Sequence, residues 1–112
     1  MDIRNEKSSF CIDVILTDRD GEPLSPITSV SWWVGKPGSD DLIIEKQEIV
    51  NPTSDIEIVV PAEASICTGK RNEKRFLIVR VQSGSEHVKH SRYEWEIKAM
   101  DTVPYPSPLP IV

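Results

Sequence analysis

Apolar and polar residues alternate one by one in run after run of this chain, and that period of two limits what it can fold into. Phe10, Ile12, Val14 and Leu16 share one face of a first run, and Val30, Trp32 and Val34 share one face of a second. Ile56, Ile58 and Val60 do the same in Asp55-Ile56-Glu57-Ile58-Val59-Val60, as do Tyr93, Trp95 and Ile97 near the end. Each such face reads as the buried side of a half-buried β-strand. Between Arg75 and Gln82 the run is nearly all apolar, with Phe76, Ile78 and Arg80 on one side and Leu77, Val79 and Val81 on the other. A strand that is apolar on both faces belongs in the middle of its sheet.

Turn chemistry punctuates these runs. Asp18-Arg19-Asp20-Gly21-Glu22-Pro23 combines residues that form Asx turns, a glycine free to take positive φ and a proline that fixes the exit. Gly35 to Asp41, Asn51 to Ser54 and Ser83 to Glu86 read the same way. Leu42 to Ile49 is expected as a short strand running into a polar edge, and Pro61 to Ile66 as one helical turn, since proline suits a first helical position. About seven short strands with no helix longer than a turn predict an all-β fold, an immunoglobulin-like antiparallel β-sandwich. In such a sandwich one large ring plugs the gap between the sheets, and Trp32 is expected to be that ring. Trp33 then points the other way, toward solvent or a partner.

A chain of 112 residues builds one hydrophobic core. The reading therefore places the sandwich in residues 1–100 and a proline-rich extended arm in residues 101–112. Charged residues make up 28% and hydrophobic ones 38%, the balance of a folded protein. The net charge of -5 works against nucleic-acid partners, which need clustered Lys and Arg. The one basic cluster, Lys70 to Arg75, is interrupted by Glu73 and reads as a solvated hairpin turn. The first seven residues lack the apolar segment of a secretory signal, and no run approaches the roughly 18 apolar residues that span a bilayer, so no membrane partner is expected.

No catalytic, cofactor or metal residue emerges. Cys11 and Cys67 stand apart from any Cys-x-x-Cys or Cys/His grouping and are expected as buried free thiols. His87 and His90 could share a metal only if their segment were helical or curled. Asp18 to Gly21 faintly resembles a calcium loop, but aligning Gly21 with that loop's glycine puts Leu16 at the first ligand position and Ile27 where the closing glutamate belongs. No nucleophile elbow, P-loop, dinucleotide glycine pattern or His-Glu-x-x-His occurs. The chain is therefore expected not to be an enzyme and to take no cofactor.

After Ala99 the character changes: Pro104, Pro106, Pro108 and Pro110 alternate with Val103, Tyr105, Ser107, Leu109 and Ile111. Such a segment cannot join a central strand and favours an extended path. Tyr105, Leu109 and Ile111, with Trp33, are the expected partner-binding residues.

The runs Ile27 to Trp32, Ile56 to Glu63 with its Pro61-Ala62-Glu63 corner, Phe76 to Val81 and Tyr93 to Ile97 together resemble the small immunoglobulin-like virion proteins of tailed bacteriophages. The resemblance covers about two-thirds of the chain and is one of strand pattern, so it carries over no site residue. It implies a structural or accessory part of a virion, at the capsid, neck or tail, made in the host cytoplasm. Such a part contacts other virion proteins and copies of itself. Its mechanism would be mechanical, a rigid block fastened to its neighbours by an arm. The alternative is a β-sandwich module that binds glycans or a cell surface, with Trp33 and the Gly35 to Asp41 loop as its contact.

Overall fold

The alternating faces pair off as two sheets packed against each other in a computed structural model that describes residues 2–68, 71–84 and 87–99. Seven strands follow in order: β1 (Asp2–Asn5), β2 (Phe10–Ile15), β3 (Ser29–Gly35), β4 (Leu42–Glu48), β5 (Asp55–Val60), β6 (Glu73–Ser83) and β7 (His87–Lys98). Among the described residues one 3-10 turn, Ala62–Ser65, falls where a helical turn is expected, with Pro61 before it as an extended N-cap rather than at the first helical position. One sheet has five strands in the order β1-β7-β6-β3-β4, and the other has two, β2 and β5. The chain is thus an all-β protein of two unequal layers.

The larger sheet is mixed, which corrects the expectation of a wholly antiparallel fold. β1 runs parallel to β7, Asp2 opposite Trp95 and Asn5 opposite Lys98. Four residues of mixed character, Asp-Ile-Arg-Asn, give no alternation long enough to register as a strand, and side chains fix their place instead. Asp2 accepts a hydrogen bond from the Tyr93 hydroxyl. The Arg4 guanidinium lies 4.4 Å from the centre of the Phe10 ring, a cation–π contact between the layers. β6 sits between β7 and β3, the central place its two apolar faces predict.

The core lies between the sheets. Val30, Val34, Leu77, Val79, Trp95 and Ile97 come from the larger sheet, and Phe10, Ile56, Ile58 and Val60 from the smaller. Trp95, not Trp32, fills the gap: it is fully buried, meets Phe10 edge to face at 5.2 Å between ring centres, and donates its indole N–H to Ser65 Oγ at 3.3 Å. Trp32 points to the same side but is only partly buried, packed against the rim of the core. The cause is topological. β7 runs beneath β2, whereas β3 is one strand from the β4 edge, where the two-stranded layer gives less cover.

Two further expectations are corrected. Cys11 is exposed, because a strand that turns Phe10 and Ile12 inward must turn Cys11 outward; partial desolvation and the neighbouring Glu57 hold its thiol above the ordinary value. Cys67 is partly buried. Arg75 does not belong to a solvated turn but is 1% exposed. Its guanidinium donates to the carbonyls of Lys74 and Ile66 at 2.9 and 2.8 Å and to Glu73 at 3.0 Å. Glu73 in turn accepts from the Thr68 N–H and hydroxyl, tying β6 to the segment after the 3-10 turn. Partial burial pushes the Glu73 carboxyl up, but the Thr68 and Arg75 bonds outweigh it and hold it below its ordinary value.

Candidate interaction surface

One face of the five-stranded sheet packs on the two-stranded sheet, and no other element among the described residues covers its opposite face. Strand parity decides what that open face presents. β3 contributes Ser31, Trp33 and Gly35; β6 contributes Phe76, Ile78 and Arg80, which stand directly opposite them in reverse order. β7 adds Glu94, Arg92 and His90, opposite Phe76, Ile78 and Arg80. Three neighbouring strands therefore line up in cross-strand rows.

The rows interlock. Gly35 has no side chain, and the Phe76 ring occupies the space one would take: a Cβ added there would meet Phe76 Cζ at 2.5 Å. The Arg92 guanidinium stacks over that ring, 4.1 Å from its centre, while pairing with Glu94. Trp33 turns edge to face toward His90 across β6, ring centres 6.2 Å apart. Trp33, Phe76 and Ile78 are left half-buried at the centre of an open sheet, with Arg80, His90 and Arg92 toward one end and Glu94, Glu96 and Lys74 toward the other. Chemically this is an apolar patch with aromatic faces bordered by charges of both signs, an arrangement suited to holding another protein surface.

The expected partner residue Trp33 thus lies on the open face, with its ring set edge to face against His90. Phe76, Ile78 and Arg80, which residue order groups on one face without marking a surface, are additional members, and Arg92 joins them only through the pairing of β6 with β7. The available signal was the glycine at the end of β3, whose missing side chain makes room for a ring. Tyr105, Leu109 and Ile111 lie outside the described residues, as does the whole arm 101–112. His87 and His90 stand on one strand with two residues between them, so their side chains leave opposite faces and cannot share a metal. No group of three or more metal-ligating side chains occurs among the described residues. Asp18 is occupied within its own turn: its Oδ1 accepts from the N–H groups of Asp20 and Glu22 at 2.8 and 3.0 Å, and Gly21 takes the positive φ of 83° that the turn needs. No described helix is long and apolar enough to cross a membrane. In comparisons with known proteins, no family model and no curated protein matches the chain.

Proposed function

We propose that this chain is a non-enzymatic assembly protein, an immunoglobulin-like sandwich that joins copies of itself and neighbouring proteins through the open face of its larger sheet. The observation that carries the reading is the patch of Trp33, Phe76 and Ile78, half-buried on a sheet face against which no second sheet packs among the described residues. A sheet normally buries one face and solvates the other with polar side chains; three large apolar residues in adjoining rows on the second face favour a partner there. Charged side chains of both signs border the patch, Arg80, Arg92 and Lys74 with Glu94 and Glu96, and suit the polar rim of a contact between protein surfaces. Seven strands in two layers and the strand pattern from Ile27 to Ile97 support placing it among structural or accessory parts of tailed-phage virions. Weak pairwise contacts suffice in such a particle, where local concentration is high.

Sedimentation of the intact chain over a range of concentrations tests this. The mass should rise from the 12.6 kDa of one chain toward multiples of it, and Ile78→Asp and Trp33→Asp should each hold it at 12.6 kDa. Unchanged urea midpoints would show that the variants remain folded. A wild-type chain that stays at 12.6 kDa up to millimolar concentration removes the self-association part of the proposal.

A further inference from the structure

The two-stranded sheet has two edges, and neither has a ladder partner among the described strands. The register shows which amides point outward from them. β2 and β5 pair antiparallel with Ile15 opposite Asp55, and Leu16 N–H bonds Ser54 O at 2.7 Å in the next position along. In an antiparallel ladder bonded and non-bonded pairs alternate, so Ile56, Ile58 and Val60 face β2 with their N–H and C=O groups. Asp55, Glu57 and Val59 turn theirs to the free edge of β5. On β2 the corresponding groups belong to Cys11, Asp13 and Ile15.

The two edges differ in their surroundings. β2 follows β1 after Glu6–Ser9, and Arg4 reaches over Phe10, so β2 lies on the β1 side of the sandwich. β5 follows β4 after Ile49–Ser54, which brings it in from the opposite side. On β3 and β4 of the facing sheet, Trp32 and Ile44 remain only partly buried against the core. A five-stranded layer facing a two-stranded one leaves room for a further strand there, and the edge of β5 carries Asp55 and Glu57 but no lysine, proline or bulge to discourage pairing.

The sequence holds a segment with the matching chemistry. From Val103 to Ile111 every second residue is proline. In an extended strand the N–H and C=O groups of alternate residues point to opposite edges. The donors of Val103, Tyr105, Ser107, Leu109 and Ile111 would therefore all lie along one edge, while the other edge, at Pro104, Pro106, Pro108 and Pro110, would have none. Residues before proline are also biased to extended conformation. Such a strand adds once to a sheet and permits no further addition. In that conformation one face would carry the prolines and the other Val103, Tyr105, Ser107, Leu109 and Ile111, both largely apolar.

We propose that the segment Val103–Ile111 adds as a terminating strand to the free edge of β5. Its place lies outside the described residues, and the inference concerns an edge separate from the open sheet face, so it stands or falls without that contact. Amide hydrogen exchange on the intact chain tests it. Glu57 and Val59 should exchange at least tenfold more slowly than Asp13, which occupies the matching position on the other free edge. In Tyr105→Pro/Leu109→Pro, which removes two donors from the pairing side and leaves the segment extended, the Glu57 and Val59 amides should exchange as fast as that of Asp13. Pro106→Ala, on the blank side, should keep the protection. Protection that persists on dilution assigns the strand to the same chain, and protection lost on dilution assigns it to a second copy; both uphold strand addition. Glu57 and Val59 exchanging as fast as Asp13 in the intact chain overturns it, as does protection that survives the double proline variant.

Discussion

Trp95→Ala is expected to lower the stability of the fold by about 3–5 kcal/mol, the range for deleting a large aromatic side chain from a packed core. The ring is fully enclosed, touches Phe10 from the facing sheet, stacks at 5.9 Å on Tyr93 and is anchored by Ser65. Its loss removes both the apolar contact between layers and the partner of a buried hydroxyl. Against a total stability of about 5–15 kcal/mol for a small domain, such a loss brings the chain near its unfolding threshold at ambient temperature. Trp32→Ala is expected to lose about 1–2 kcal/mol, since less of that side chain leaves water on folding. Urea denaturation of the two variants, read at the midpoint, separates them. A larger effect at Trp32 than at Trp95 would mean that the layers meet elsewhere than described.

Glu73→Ala is expected to destabilise by about 3–5 kcal/mol, because it removes the carboxylate that pairs with the buried Arg75 guanidinium. Arg75 is 1% exposed, and its Nε already has no hydrogen-bond partner among the described residues. Replacing both partners, Glu73→Leu with Arg75→Met, should recover most of that loss, since apolar side chains of similar size remove the buried charge together with its desolvation penalty. The pH dependence has a definite sign. The Glu73 carboxyl is held below its ordinary value in the folded chain, so its contribution is fully present above the unfolded-state value, about pH 4.3, and is lost as pH falls through the lower folded-state value. Glu73→Gln should therefore show a shallower fall in stability over that acidic window than the wild type. Equal slopes would mean that Glu73 does not carry the effect.

Much of this architecture is legible in residue order, and the failures have physical causes. Phe10, Ile12 and Val14, like Ile56, Ile58 and Val60, define their inward faces without help from the rest of the chain, because a period of two is a local property. The same parity places Cys11 outside, and reading cysteine as a buried residue type overlooked it. Trp32 and Trp95 are equivalent in local pattern; only the strand order and the position of β2 over β7 decide which becomes the plug. Arg75 looks like part of a solvated cluster until Glu73, Thr68 and the Ile66 carbonyl converge on it, a contact set no local pattern contains. β1 is too short to alternate and is fixed by Tyr93 and Phe10. The open face was half visible: Phe76, Ile78 and Arg80 are plainly on one side of β6, but that Trp33 and Arg92 lie beside them depends on the pairing of three strands.

The most direct measurement of the central claim is a dilution series followed by nuclear magnetic resonance on the isotopically labelled intact chain. Self-association through the larger sheet should shift the Trp33 indole and the backbone amides of Ile78 and Arg92 progressively with concentration. The amides of Cys11 and Asp13, on the far side of the sandwich, should hold still. Shifts confined to Cys11 and Asp13, or none anywhere up to millimolar concentration, would contradict the assignment of the open sheet face as the surface through which copies of this protein meet.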